Sequence, residues 1–237
     1  ESSFWAEGTK IVAKIGEKNP NGIYELDLIQ VIPSTTMNDD LKALAIENGF
    51  SIEFPKKALE EASKILPNIL LTQNRRDLRK LLTFTIDPKT AKDLDDAVSL
   101  EIIGSLYRLY VHIADVDYYV NFHTELFQEA IKRGCSAYPG NIVIPQFPSK
   151  LSDELCSLNS NGDKMTKTIM MDFNEEGQVV NFDIFHSIIR SSMKMDYDSV
   201  NKVLNGMEIY EYESYKQTLY KMKELSGILT KKRIERG

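Results

Sequence analysis

The sequence is poor in cysteine, with two in 237 residues, Cys135 and Cys156. Two cysteines build no disulfide framework, so a reducing, cytoplasmic setting is expected. No apolar run approaches the ~18 residues of a membrane-spanning helix, and no membrane partner is expected. The opening Glu1-Ser2-Ser3-Phe4-Trp5 has neither the basic stretch nor the apolar core of a secretory signal. It also has no initiator methionine, as expected of a piece of a larger protein. There is no internal repeat and no low-complexity segment. Positive charge is in deficit as well: 29 Lys and Arg against 35 Asp and Glu give a net charge of −6. That argues mildly against non-specific nucleic-acid binding. Much of the excess comes from one cluster of aspartates, however, and a bound metal would offset it.

What remains is globular in character. Hydrophobic residues make up 42% and charged residues 27% of the chain, enough for one large domain or a domain with a smaller partner. The stretch that stands out is Thr83 to Val98, T-F-T-I-D-P-K-T-A-K-D-L-D-D-A-V. Asp87, Asp93, Asp95 and Asp96 fall within ten positions of it. Leu82 to Ile86 reads as a strand that Pro88 ends, and Ala97 opens a second apolar run. The aspartates therefore sit on a strand–loop–strand turn. Crowded carboxylates raise one another's proton affinity, and a cation removes that repulsion. All-oxygen ligands suit Mg²⁺ or Mn²⁺. The plain alternative is a solvated acidic loop. Two known motifs fail. An EF-hand counted from Asp93 would need Gly at Val98 and Glu at Gly104. A phosphatase-type DxDxT would need Thr at Ala97 and a hydrophobic strand where Ala91-Lys92 stand.

Along the chain, Lys10 to Ile15 and Ile23 to Ile32 read as two strands across the turn Asn19-Pro20-Asn21-Gly22. Phe4, Trp5 and Tyr24 offer either packing or stacking faces. Pro33 to Thr36 leads into a helix over Asn38 to Gly49, and a second helix follows Pro55 and ends at Pro67. Asn74 to Lys80 is a basic patch, either a turn whose arginines pair with nearby carboxylates or a phosphate-steering surface. Leu106 to Asp115 is a returning strand. In it His112 is expected to be a hydrogen-bonded core residue, and Asp115 and Asp117 structural. A helix runs from Thr124 to Gly134. Tyr138 follows on a turn, where spacing alone favours packing. A short helix begins at Leu151. Met165 to Phe173 and Gln178 to Ser191 form a hairpin. Asp196 caps a helix over Tyr197 to Leu204, and a long helix covers Glu211 to Arg236. His123 and His186 are assigned nothing.

The run T-I-D-P-K-T-A-K-D-L-D-D-A-V, with its D-x5-D-x-D-D spacing, resembles the first motif of the ribonuclease II/R (RNB) exoribonuclease family. The resemblance continues at His112 to Val116, at Arg133 to Tyr138, at Ile144-Pro145 and at Leu151 to Leu158. It implies an α+β fold: a β-rich RNB catalytic core with flanking helices, preceded by a partial OB-like β segment. Residues 1–32 then correspond to the end of a cold-shock-type OB domain, 33–75 to a helical connector, and 76–237 to a truncated catalytic domain.

The activity the resemblance implies is Mg²⁺-dependent, or Mn²⁺-dependent, processive 3′-to-5′ hydrolysis of single-stranded RNA to nucleoside 5′-monophosphates, within RNA-degradation machinery. Asp87, Asp93 and Asp96 look like the chief metal ligands. Asp95 looks like the catalytically critical carboxylate, itself a candidate ligand. Tyr138 matches a base-stacking tyrosine, and Arg76 and Arg79 echo an RNA-contacting run. Later family elements are missing from the chain, so weak RNA binding and slow or no turnover are expected of the 237 residues alone. The rival readings are a catalytically inactive RNB-like RNA-binding module, or a DxD-type phosphotransferase or glycosyltransferase at Asp93-Leu94-Asp95. The latter lacks a nucleotide-binding glycine loop.

Overall fold

A computed structural model describes residues 8–32, 36–67, 74–160 and 162–237. Phe4, Trp5 and the lead-in Pro33-Ser34-Thr35 lie outside the described residues. In chain order the strands are β1 (Lys10–Lys18), β2 (Tyr24–Ile32), β3 (Arg76–Asp77), β4 (Phe84–Asp87), β5 (Asp96–Ile103), β6 (Leu106–Ala114), β7 (Asp163–Phe173), β8 (Val179–Arg190) and β9 (Met193–Asp196). The helices are α1 (Met37–Glu47), α2 (Lys56–Lys64), α3 (Glu125–Arg133), α4 (Tyr197–Leu204) and α5 (Lys216–Glu235). None of the described helices is long and apolar enough to cross a membrane.

The chain divides into two compact units, Glu1–Glu61 with Phe122–Pro148, and Ala62–Asn121 with Ser149–Gly237. The division interleaves along the sequence and places α3 and Tyr138 in the first unit. Within that unit β1 and β2 form an antiparallel hairpin. Asn19 Oδ1 shapes its turn by accepting from the Asn21 and Ile23 amides. Thr36 and Asp39 cap α1 reciprocally. Arg133, at the end of α3, bonds Glu129, the Glu53 carbonyl and the Pro145 carbonyl, and its guanidinium stacks 3.7 Å from the Phe54 ring centroid.

The second unit is built on a seven-stranded sheet in the order β3-β8-β7-β6-β5-β4-β9. Its centre is antiparallel, with β5–β6 and β7–β8 joined as hairpins, and both edge pairings, β3 with β8 and β4 with β9, are parallel. Side chains alternate between two faces. One face is apolar: Phe84 and Met195 pack with Val200, Val203, Tyr212 and Leu219 of the helical layer, and Tyr107 and Phe173 pack with Leu225. Asp196 caps α4 by accepting from the Ser199 amide. The helix expected over Glu211 to Arg236 differs at its start, where Tyr210–Tyr215 is a tighter 3-10 turn before α5. That turn carries Tyr212 into the core, leaving it 4% exposed.

The opposite face carries a buried polar chain. Thr83 Oγ1 lies 2.7 Å from Ser99 Oγ, which lies 3.0 Å from His112 Nε2. His112 Nδ1 lies 2.8 Å from Thr168 Oγ1, and Ser187 Oγ joins Thr168 to Thr166. Ser99, His112, Thr166, Thr168 and Ser187 are wholly buried. Thr83 donates to the Leu81 carbonyl, which leaves its oxygen to accept from Ser99. Ser99 then accepts from His112 Nε2–H, and Nδ1 accepts from Thr168. Burial lowers the His112 pKa to about 4, so the ring is neutral and every member of the chain is satisfied. The core role expected of His112 is the one it has.

Candidate active site

The aspartates gather at one end of β4 and β5. Strand β4 ends at Asp87 because Pro88 offers no amide to the ladder. Asp96 begins β5 opposite Ile113 of β6. The β4–β5 register pairs Phe84 with Val98, so the chain leaves β4 at Asp87 and re-enters the sheet at Asp96 on the neighbouring strand. Between them, Leu94 is 1% exposed and anchors the loop like a core residue. With Leu94 turned inward, its neighbours Asp93 and Asp95 are left on the outer side of the loop.

The loop is tied down from three directions. Leu158 donates its amide to the Leu94 carbonyl at 2.8 Å, and Ala114 donates its amide to the Asp95 carbonyl at 2.9 Å. The Ser157 hydroxyl donates to the Lys92 carbonyl at 2.6 Å and accepts from the Leu94 amide at 3.3 Å. Lys194, on the edge strand β9, donates its ammonium to the Lys89 and Ala91 carbonyls at 3.1 and 2.5 Å. Sequence reading found none of these roles. Lys194 carries no local signal, because parallel edge pairing alone brings it beside Thr85. Ser157 stands in the Leu151–Leu158 stretch, whose expected short helix is a π-helical turn over Lys150–Leu155. The same edge pairing sets Asp196 next to Asp87.

The electrostatics are those of a crowded anionic site. The Asp87 pKa is raised, first by burial and then by repulsion from Asp96 and Asp93, while the Thr85 hydroxyl and Lys194 work against the rise. Asp95 is raised by burial and by repulsion from Asp93, Asp96 and Asp87. Its side chain still reaches solvent. Both hold together because the carboxylate is only partly covered, with protein on one side and water on the other. Asp87 Oδ2 is buried with no hydrogen bond of ordinary length, and so is Thr85 Oγ1 on the same face of β4. An orphaned carboxylate oxygen is costly unless something positive reaches it.

As the side chains stand, no three carboxylate, imidazole or thiol groups among the described residues converge closely enough to enclose an ion. The chemistry of the set nevertheless fits a hard divalent cation. It offers only oxygen donors, holds an unsatisfied buried one, and raises two carboxyls' proton affinity in the way a cation would relieve. The buried Cys156 thiol is pushed up to about 12 by burial and offers no nucleophile.

Arg76 and Arg79 lie elsewhere in the sheet. Arg76 is on β3, five strand positions from β4, about 24 Å at the usual strand spacing. It bonds Asp183 at 2.6 Å and stacks 3.8 Å from the Phe185 ring centroid. Arg79 makes a two-pronged pair with Asp77 and a third bond to Asp163. The most buried arginine of the patch is Arg75, at 2.5 Å from Asp115 with side-chain exposures of 9% and 6%. It stacks on Tyr118, and His186 also reaches Asp115. Asp115 therefore has the structural role expected of it. Tyr138 is 59% exposed, within the first unit.

Comparison with known proteins adds the lineage. The RNB domain matches residues 75–237. The chain belongs to the RNB family. It is 39% identical over 210 residues to ribonuclease R of Thermotoga maritima, covering 87% of this chain and 29% of that protein. It is 41% identical over 208 residues to ribonuclease R of Chlamydia pneumoniae, covering 86% of this chain and 30% of that one. A solved structure of Mycoplasma genitalium RNase R in complex with ribose-methylated single-stranded RNA superposes over 100% of this chain and 38% of that chain. It does so with a TM-score of 0.88 at 30% identity. The chain thus spans less than a third of the two curated relatives. Those relatives bear the names of nucleases, which points to a divalent metal. The α+β architecture expected from the RNB resemblance is the one observed.

Proposed function

We propose that this chain provides the aspartate-bearing wall of a processive 3′-to-5′ exoribonuclease that hydrolyses single-stranded RNA to nucleoside 5′-monophosphates with Mg²⁺, or Mn²⁺ in its place. One observation carries the reading: in an RNB chain, Asp87, Asp93, Asp95 and Asp96 gather on a loop tied down from three directions, with Asp87 Oδ2 buried and unsatisfied. In this proposal Asp87, Asp93 and Asp96 hold the metal, whose bound charge offsets that of the scissile phosphate. Asp95, open to solvent and with raised proton affinity, orients the attacking water by accepting its hydrogen bond. Tyr138 stacks on a base, a contact that tolerates any sequence and so suits an enzyme advancing along RNA. Arg76 and Arg79 contact RNA by exchanging carboxylate partners for phosphate. A cytoplasmic role in RNA degradation belongs to the same proposal.

The test is product analysis of labelled poly(A) with Mg²⁺ and with EDTA. Nucleoside 5′-monophosphates are expected with the metal and none without it, and slow turnover still registers against the EDTA blank. Asp95→Asn is expected to abolish hydrolysis and leave RNA binding intact. Near-normal hydrolysis by that variant would refute the assignment.

A further inference from the structure

Two side chains that are not metal-ligand candidates grip the aspartate loop at successive points along its backbone. Lys194 holds its first half through the Lys89 and Ala91 carbonyls. Ser157 holds its second half and is 1% exposed. The Ser157 hydroxyl uses both hydrogen-bonding capacities on the loop backbone, donating to the Lys92 carbonyl and accepting from the Leu94 amide. These two groups flank Asp93 on either side. The adjacent Leu158 amide fixes the Leu94 carbonyl, so one dipeptide governs the backbone from Lys92 to Leu94.

We propose that Ser157 is a positioning residue. Its hydroxyl sets the backbone of Lys92 to Leu94, and through it the placement of Asp93 relative to Asp95. The inference deepens the metal-site reading above and rests on it. Four carboxylates that repel one another spread apart unless the backbone beneath them is fixed. Groups that orient ligands without touching the metal typically change affinity by about 10- to 100-fold when removed.

The experiment measures Mn²⁺ affinity of the RNA-free protein by electron paramagnetic resonance, together with amide hydrogen exchange at Leu94 and the metal-free melting temperature. Ser157→Ala is expected to weaken Mn²⁺ binding by roughly tenfold or more and to speed exchange at Leu94. Ser157→Cys keeps the volume but not the strong hydrogen bond, and is expected to weaken Mn²⁺ binding in the same direction without opening a cavity. Thr168→Val is the control: it removes a buried hydroxyl from the same sheet, destabilises the fold, and is expected to leave Mn²⁺ affinity unchanged. Wild-type Mn²⁺ affinity in both Ser157 variants, or equal weakening in Thr168→Val, would overturn the positioning role. Absence of Mn²⁺ binding by the unaltered protein would instead overturn the metal-site reading itself, and this inference with it.

Discussion

His112 offers a test of the buried polar chain that does not depend on any proposed activity. The ring is wholly buried, with Ser99 and Thr168 on its two nitrogens and the Tyr110 ring stacked at 6.1 Å. Its folded-state pKa is about 4, against an ordinary value near 6.5. The unfolded chain therefore binds a proton between pH 6.5 and 4 that the folded chain refuses. Stability is complete above pH 6.5 and falls as pH drops toward 4. The loss is about 1.4 kcal/mol per pH unit inside that window, about 3 kcal/mol in all. Asp87 and Asp95 act in the opposite sense, because their raised folded pKa values favour the folded state on acidification. His112→Gln keeps an acceptor and a donor for the two hydroxyls, has no proton to gain, and retains both aspartates. The difference between the two proteins thus isolates the imidazole. Urea denaturation at pH 7.5, 5.5 and 4.5 should show the gap between them closing as pH falls, with the wild type losing more. Parallel pH profiles would refute both the neutral buried ring and the network built on it.

Three further predictions follow from single contacts. Arg75→Met leaves the buried Asp115 without its guanidinium and with only His186 beside it, and should cost about 3–5 kcal/mol in chemical denaturation at pH 8, where the imidazole is neutral; a loss below about 1 kcal/mol would mean the pair is not buried as described. Gly177 turns the β7–β8 hairpin at φ +68°, and a Cβ there would sit 2.6 Å from Ile228 Cγ2. Gly177→Ala should therefore lower the melting temperature, by strain of about 1 kcal/mol before the steric clash is added, and an unchanged melting curve would contradict that packing. If Tyr138 stacks on a base, Tyr138→Ala should weaken single-stranded RNA binding by about 1–3 kcal/mol for every homopolymer tested. Loss for one base alone would point to sequence-specific readout instead.

The acidic cluster was legible in the sequence because its signal is local. The D-x5-D-x-D-D spacing, the strand before Pro88, and the apolar run from Ala97 all lie within twenty residues. The long strands β5 to β8 were legible for the same reason, since alternation over eight or more positions leaves a clear period. So were the helix starts at Thr124 and Asp196, where a capping side chain and its amide are three residues apart. The two-residue β3 and four-residue β9 were not anticipated. Segments so short have no measurable period, and their parallel partners lie some 110 residues away in sequence.

The sequence by itself determined the lineage, the central strands and the identity of the acidic cluster. Tertiary structure alone decided how that cluster is held. It brought Lys194 beside Thr85 through a parallel edge pairing and placed the Ser157 hydroxyl between Lys92 and Leu94. It also separated Arg76 from Asp87 by five strand positions although only ten residues lie between them in the chain. The physical reason is common to all three. Hydrogen bonds across a sheet are set by strand order and register, and those follow from which faces can be buried together over the whole domain, not from spacing along any one segment.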